Sequence, residues 1–222
     1  MHESDCSNLP ATNPGIPDLD ARFAAADFEL PTLELAPRLL GALLVHKSAE
    51  GITAGRIVEV EAYLGPEDKG SHSSGGRRTQ RNRAMFGPKG HAYIYLIYGM
   101  YWCFNVVSGP PGLPQAILVR ALEPVLGVDL MRRRLGAPHA SVHSLCRGPG
   151  KLCKAMDITG ELYGEPLWGG RLFLVPAAPV PADAVATSPR INIAYAGEYA
   201  HKPWRFYLRG NPAVSGPARL RR

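Results

Sequence analysis

The spacing of apolar residues predicts a helix and then a strand in the first third of the chain. In TLELAPRLLGALLV, apolar side chains recur three and four positions apart, which predicts a helix over 32–45. GRIVEVEAY follows with a two-residue period that predicts a strand over 52–63. We expect its alternate residues to occupy two faces: Ile57, Glu59, Glu61 and Tyr63 on one, and Val58, Val60 and Ala62 on the other.

Strands predominate in the remainder, after a glycine-rich irregular segment over 64–90. The expected elements are two strands within 91–108 that meet at Tyr98-Gly99, a strand over 116–122, a helix from about Pro124 to Leu135, a short helix beginning near Lys151, and short strands at 171–176, 190–194 and 204–209. Because the strands mostly follow one another directly, the pattern favours an α+β fold with an antiparallel sheet.

Two glutamates interrupt the apolar strand over 52–63 and are candidates for chemistry. Burying a carboxylate among Ile, Val and Tyr is costly unless the group is paired, so a buried one is a candidate general base. Glu61 is the better candidate because Tyr63 shares its face and a loop opens just beyond the strand. Glu59 is expected to face solvent or to pair with Arg56.

A single arginine, Arg120, interrupts the apolar strand AILVRAL. Arginine stays protonated, so a buried one needs an anionic partner. Two interpretations fit the sequence equally well. Arg120 either forms a structural ion pair with Glu123 or Glu59, or it pairs with Glu61, holds that carboxylate ionised and helps to orient a water molecule.

Charge divides the chain into an acidic first third and a basic remainder. Residues 1–69 hold twelve acidic and five basic side chains, whereas residues 70–222 hold seven acidic and twenty basic ones. Solvated helix faces account for a single basic run, but the whole asymmetry fits a surface that faces nucleic acid better. The expected phosphate contacts are Arg77, Arg78, Arg147 and Lys151.

Aromatic residues crowd the segment YIYLIYGMYWCF. Core packing is the default for strand aromatics, and we expect it for Tyr101, Trp102 and Phe104, which follow the turn. Tyr98 differs because a hairpin tip offers little core to pack against, and there a tyrosine suits a wedge between stacked bases. Tyr63 and Tyr95, on inward faces, are placed to sandwich a flat ligand.

The segment RGPGKL (147–152) resembles a phosphate loop only in part, because Leu152 replaces the Ser or Thr that would bind magnesium. What remains is a glycine-rich entry to a helix, with Lys151 on it, suited to one phosphate of a nucleic-acid backbone. The histidines and cysteines show no pair at metal-ligand spacing, so we expect no metal and no cofactor.

The N-terminal segment and the cysteines bear on location. MHESDCSNLPATNPGIPDLD has neither the basic nor the apolar part of a signal peptide, and its composition predicts a flexible arm over 1–28 ahead of one domain, 29–222. No apolar run is long enough to span a membrane. Four scattered cysteines indicate a reduced, cytoplasmic protein, associated with the nucleoid if the source is bacterial.

Six blocks together resemble one known family. They are LAPRLLGALLV, GRIVEVEAYLGPEDKGSHSSGGRRTQRNRAMF, YIYLIYGMYWCFNVVS, ILVRALEP, RGPGKLCKAMDI and SPRINIAYAGEYAHKPWRFYLRGNPAVS. In this order, over roughly residues 30–217, the chain resembles the alkyladenine (3-methyladenine) DNA glycosylase family. The resemblance implies one compact domain in which α-helices surround a curved antiparallel β-sheet with a protruding β-hairpin.

The resemblance also implies roles for particular residues. Glu61 would be the general base that activates water, and Arg120 and the main-chain carbonyl of Ile191 would help to hold that water. Tyr98 would fill the gap that a flipped nucleotide leaves in the duplex. The pocket around the flipped base would be formed by Tyr63, His72, Tyr95 and, at its floor, Asn105.

The implied activity is monofunctional hydrolysis of the N-glycosidic bond of a damaged purine in double-stranded DNA. An alkylated purine is the expected substrate, and whether deaminated or etheno purines are substrates too is left open by the sequence. It leaves an abasic site and would need only a monomer. The alternatives are a non-catalytic protein that binds and bends DNA with Tyr98, and a hydrolase that acts on RNA. Glu61 argues against the DNA-bending protein, which has no use for a buried carboxylate facing DNA.

Overall fold

Across residues 18–221, the part of the chain that the computed structural model describes, eight strands pair into one antiparallel sheet and three α-helices pack against it. The helices are α1 (Thr32–Arg38), α2 (Val128–Leu135) and α3 (Pro149–Met156). The strands are β1 (Leu43–Ser48), β2 (Gly51–Tyr63), β3 (Ala92–Ile97), β4 (Tyr101–Val107), β5 (Ala116–Leu126), β6 (Leu172–Val175), β7 (Val185–Ser188) and β8 (Arg205–Leu208). The predicted α+β fold is confirmed. No helix in the described part is long and apolar enough to cross a membrane.

The central strand β2 determines what lies beside the glutamates. The sheet order is β3-β4-β5-β2-β1-β6, and β8 pairs with both β2 and β7. Strand β5 follows one edge of β2 along most of its length, whereas the other edge pairs first with β1 and then, from Glu59 to Glu61, with β8. The stretch that carries both glutamates therefore lies between β5 and β8.

A β-bulge in β2 changes which residues share a face. The pairing of β2 with β5 shifts register on both sides of Glu59. Ile57 consequently joins Val60 and Ala62 in the main core, so the prediction that Ile57 shares a face with the glutamates is wrong. Bulges re-aim side chains in this way. Val58, predicted to share a face with Val60 and Ala62, packs instead with Ala121 and Tyr207 in a separate cluster, so that part of the prediction is wrong as well.

The main core lies between one face of the sheet and helices α1 and α3. Leu35 of α1 and Met156 of α3 meet Ile117 and Val119 of β5 there, all essentially buried. The residues of β5 between and beyond them, Leu118 and Arg120, line a cavity on the other side.

The predicted helix over 32–45 is correct only as far as Arg38. Gly41 has φ +88° and donates its N–H to the Ile57 carbonyl, which starts the pairing of β1 with β2. Leu43 and Leu44 then lie on opposite sides of the sheet, and both are buried. An apolar run that is buried on both faces loses the strand period, which is why its spacing resembled a helix.

Two further boundaries differ from the predictions. Strand β5 continues through Pro124, where the register with β2 shifts, and α2 begins only at Val128 after Gly127. The strand predicted over 190–194 is absent from the described structure. The chain turns there, with Asn192 at φ +60°, and the neighbouring strand is β7, at Val185–Ser188.

The folded domain begins before residue 29. Phe28 is fully buried in the main core, its ring lies 5.9 Å from that of Trp168, and the Phe23 N–H donates to the Leu174 carbonyl. The C-terminal part of the segment predicted as an arm over 1–28 thus packs on the sheet. Residues 1–17 lie outside the described residues, and for them the arm stays a prediction.

We predict that Phe28→Ala lowers the free energy of unfolding by about 3–5 kcal/mol, because it removes a fully buried ring. Urea denaturation measures the change. Leu33→Ala, at a side chain 39% exposed on the following helix, is the matched control and should cost less than about 1 kcal/mol. Equal losses in the two variants would show that the segment before residue 29 adds little to the fold.

Candidate active site

Two carboxylates and two arginines share one buried site in the sheet. Glu59 and Glu61 of β2 are fully buried, Arg120 comes from β5 on one side, and Arg205 comes from β8 on the other. Four charges this far from solvent are tolerated only because each finds an opposite partner.

Three donors converge on the Glu61 carboxylate. Oε2 accepts from Arg120 Nη1 at 3.2 Å and from the Tyr63 hydroxyl at 2.9 Å, and Oε1 accepts from the Ile191 N–H at 2.7 Å. Burial, reinforced by the neighbouring Glu61, raises the pKa of Tyr63 well above its usual range, so the phenol keeps its proton and donates. Ile191, expected to act through its carbonyl, thus also supplies its amide to Glu61.

Glu59 does not face solvent, and the prediction that it does so or pairs with Arg56 is wrong. Its Oε1 accepts from Arg205 Nε at 2.7 Å, and its Oε2 accepts from the Ser215 N–H at 2.6 Å. Burial opposes ionisation of Glu59, but Arg120, Arg205 and Ser215 outweigh it and lower the pKa. Arg56 approaches Glu123 instead, at 4.0 Å.

Arg120 makes both of the pairings that the sequence left open. Its Nε donates to Glu59 Oε1 at 3.0 Å while its Nη1 donates to Glu61 Oε2. Burial works against the charge of Arg120, but Glu61 and Glu59 outweigh it and raise the pKa of the guanidinium. The Glu123 alternative is not realised.

A cavity of about 540 Å³ opens beside this site. Most of the predicted site residues line it: Tyr63, His72, Tyr95, Tyr98, Asn105, Arg120, Arg147, Lys151 and Ile191. Glu61 itself is fully buried, one layer behind Tyr63, Arg120 and Ile191, each of which bonds to it. Arg77 and Arg78 are exposed on the loop that follows β2.

Aromatic rings and one amide form the inner wall of the cavity. The His72 ring meets Tyr95 edge-on at 4.5 Å, and His72 Nδ1 lies 2.8 Å from the Tyr93 hydroxyl. Asn105, opposite Tyr93 in the β3–β4 pair, anchors its Nδ2 on the Tyr93 carbonyl at 3.0 Å. Burial, with smaller contributions from Arg81 and Arg77, lowers the pKa of His72 to about 4. The wall is therefore uncharged at neutral pH.

The β3–β4 hairpin carries an exposed tyrosine at the cavity mouth. Tyr98 and Gly99 occupy the turn with φ +54° and +70°, and the Met100 N–H donates to the Ile97 carbonyl. Positive φ at both central positions is the turn that matches the twist of a two-stranded ribbon. Tyr98 is 77% exposed, which confirms the predicted protruding hairpin. Tyr101 is also exposed and lines the cavity, so the prediction that it packs in the core is wrong.

Comparison with known proteins identifies the family. The sequence profile of the family described as methylpurine-DNA glycosylase matches residues 26–212. The chain belongs to this family. It is 49% identical over 197 residues to a protein of Bacillus cytotoxicus named "Putative 3-methyladenine DNA glycosylase", and 50% identical over 200 residues to one of the same name from Bacillus cereus strain G9842; each match covers 85% of this chain and 96% of the relative.

Membership in the methylpurine-DNA glycosylase family makes the chain a DNA repair glycosylase, a hydrolase of base excision repair whose substrate is DNA. The resemblance drawn from the six sequence blocks is confirmed. A protein that only binds and bends DNA, and a hydrolase acting on RNA, are the less favoured interpretations.

A basic, glycine-rich element of the protein lies at the mouth of the cavity. Helix α3 begins at Pro149 after Gly148, which has φ +101°, and Lys151 is exposed in its first turn. A side chain at Gly150 would lie 3.0 Å from Tyr101 Cβ, so a glycine lets the start of α3 approach the hairpin. This approach brings Arg147 and Lys151 to the same cavity mouth as Tyr98.

Sequence reasoning missed the buried pair of Asp68 and Arg190. Two hydrogen bonds of 2.6 and 2.7 Å join them, and Arg190 also donates to the Ala62 carbonyl and stacks 4.5 Å from the Tyr63 ring centre. The ion pair fixes Arg190, and with it the position of the adjacent Ile191, and places the guanidinium against the Tyr63 ring. Asp68 lies in the glycine-rich segment and Arg190 at the very start of the strand predicted over 190–194, so neither interrupts an apolar run and no local signal linked them.

Tyr195 was also missed. It lines the cavity and is 72% exposed, on the irregular segment that follows Ile191. The strand predicted over 190–194 ended just before it, and the sequence pattern gave no sign that Tyr195 would reach the cavity.

Thiols and metals complete the inventory of chemical groups. Cys103 lines the cavity but is buried, as are Cys146 and Cys153. Burial raises the pKa of all three, that of Cys146 to about 12. Within residues 18–221 there is no cluster of three His, Cys, Asp or Glu side chains placed to hold a metal ion.

We predict that His72 stays neutral throughout the neutral range, with a pKa near 4 by NMR titration of its ring. Because the folded-state pKa lies below the unfolded value of about 6.5, stability should fall as pH drops from about 6.5 towards 4. Tyr93→Phe removes the hydroxyl that is hydrogen-bonded to His72 Nδ1. The pKa of His72 should stay well below 6.5 in this variant, since burial is the main cause of its low value. A measured value of 6 or above would contradict the buried environment.

Proposed function

We propose that the protein flips alkylated purines of the 3-methyladenine type out of duplex DNA and then hydrolyses their N-glycosidic bond. The proposed activity is monofunctional: it releases the base and does not cut the DNA strand. The observation that carries the proposal is the fully buried, arginine-paired Glu61, one layer behind a cavity of about 540 Å³ with aromatic walls. Pockets of this size are typical for small ligands, and a flipped base meets that description.

Glu61 is the proposed general base. Oε2 accepts two hydrogen bonds among the described residues and Oε1 accepts one, so Oε1 keeps a lone pair for a water molecule. Cleavage of an N-glycosidic bond builds oxocarbenium character on the sugar, and the same carboxylate would stabilise that charge. Arg120 and Ile191, which line the cavity and bond to Glu61, would hold the water in line.

Recognition of the base is assigned to the uncharged wall. Tyr63 and Tyr95 offer ring faces to a methylated purine, whose positive charge favours cation–π contact worth about 0.5–2 kcal/mol. Neutral His72 can donate or accept one hydrogen bond at the base edge. Asn105, held on the Tyr93 carbonyl, would lie against the exocyclic amino group that marks guanine.

DNA binding is assigned to the surface around the cavity mouth. Tyr98 would occupy the space of the flipped nucleotide, and phosphates would bind Arg147, Lys151 and, on the loop after β2, Arg77 and Arg78. Lys151 is the one lysine that lines the cavity in the described structure, and it lies at the start of α3 with Arg147. We assign it to phosphate binding rather than to amine catalysis, as a monofunctional glycosylase requires.

We predict that Glu61→Gln lowers the single-turnover rate of excision by at least about 100-fold, the low end of what a general base contributes. Affinity for the damaged duplex should stay within about tenfold, since the loss falls on the transition state. The assay uses a duplex with one 7-methylguanine and counts abasic sites. Glu123→Gln, at a half-buried glutamate of the same sheet, is the control and should retain activity.

Near-normal excision by Glu61→Gln would remove Glu61 as the base. If the wild-type protein binds the damaged duplex but forms no abasic sites, the proposed glycosylase activity is contradicted. That result would favour the alternative, a protein that only binds and bends DNA.

We predict that Tyr98→Ala changes the melting temperature little, because the side chain is exposed at a turn. Excision from duplex DNA should fall, because flipping costs a few kcal/mol of stacking and pairing that an inserted side chain offsets. The defect should be much smaller on single-stranded DNA. Leu113→Ala, at an exposed loop position, serves as the control. An equal loss on both substrates would rule out a wedge.

A further inference from the structure

Glu59 does not line the cavity, yet its carboxylate accepts four hydrogen bonds, one more than that of Glu61. Its Oε1 accepts from Arg120 Nε, Arg205 Nε and the Ser215 hydroxyl at 3.0, 2.7 and 2.8 Å, and its Oε2 accepts from the Ser215 N–H. Such an arrangement leaves little freedom to the carboxylate or to the two guanidinium groups it holds.

Arg120 transmits the position of Glu59 to Glu61. The guanidinium is planar, and its Nε is fixed on Glu59 while its Nη1 reaches Glu61. If the Glu59 contact weakens, the guanidinium is free to turn and pair with Glu61 through two nitrogens, the geometry that carboxylates prefer. A second bond of this kind would occupy the lone pair of Glu61 Oε1 that is left for water.

Glu59 also balances charge at the site. Glu59 and Glu61 oppose Arg120 and Arg205, so the four groups are formally neutral. Of the other charged groups, Arg190, behind the Tyr63 ring, pairs with Asp68, and Tyr63 is protonated. Arg147 and Lys151 line the same cavity, and their charges are the same in wild type and in Glu59 variants. Loss of the Glu59 charge would leave one net positive charge beside a reaction that places positive charge on the sugar.

We propose that Glu59 is a positioning residue for base excision, which holds Arg120 in a single orientation and cancels its charge so that Glu61 stays available to water. The proposal rests on the proposed function of Glu61. Glu59 touches neither the base nor the water, and it acts only through Arg120.

The test compares Glu59→Gln with wild type in single-turnover excision of 7-methylguanine from a duplex, across pH. We expect the rate to fall by about tenfold or more, within the effect of a small misplacement at a reacting group. The acid limb of the pH–rate profile should move to lower pH, because the uncancelled positive charge favours the ionised base. Affinity for a duplex with a tetrahydrofuran abasic analogue should change by less than about threefold.

Two further variants keep the test decisive. Glu59→Asp retains the charge but shortens the reach to Arg120, so its acid limb should match wild type while its rate lies between wild type and Glu59→Gln. Glu123→Gln makes the same chemical change at a glutamate that pairs with Arg56 and should be neutral in both readouts. Thermal melts show how much of each protein is folded.

Wild-type rates in Glu59→Gln would overturn the proposal. So would a rate loss that matches the lost folded fraction with an unmoved acid limb, since that is a purely structural role. If Glu59→Gln does not fold, the excision rate of Glu59→Asp is the test. A wild-type rate in Glu59→Asp would then overturn the proposal. Failure of the proposed function is distinct, because wild-type protein would then release no base.

Discussion

The mutual pairing of Glu59, Glu61, Arg120 and Arg205 is the constraint on which the rest of the structure depends. Taking one such charge out of water costs several kcal/mol, and only close opposite charges and hydrogen bonds offset that cost. The groups come from three strands, so the offset exists only when β5, β2 and β8 lie side by side. The sheet order and the ion pairs therefore stabilise each other.

The loops have a comparable requirement. Asp68 accepts the backbone amides of Leu64 and Gly70 as well as the guanidinium of Arg190. One carboxylate thus holds the loop after β2 and the segment that supplies Ile191, although neither is regular secondary structure. Groups in irregular segments can be placed as accurately as groups in strands when a buried ion pair fixes the backbone around them.

The sequence was most informative where the signal was local. A glutamate or an arginine inside an apolar strand, and a tyrosine before a glycine at a turn, pointed to Glu61, Arg120 and Tyr98. The burial of Glu59 depends on Arg205 and Ser215, 146 and 156 residues away along the chain, and no window of neighbours contains that information. His72 and Asn105 had no local signal and entered through the family resemblance. The helix predicted over 32–45 extended too far because Leu43 and Leu44 are buried on both faces.

The burial of the cysteines affects how the protein reacts with electrophiles. Thiolates, rather than thiols, attack electrophiles, and burial raises the pKa of Cys103, Cys146 and Cys153, which keeps these thiols protonated at neutral pH. If methylated DNA is the substrate, as proposed, the protein works where methylating agents are present, and a thiolate would react with the same agents. The three cysteines of residues 18–221, including Cys103 at the cavity wall, are thus held in the form that reacts least with such agents.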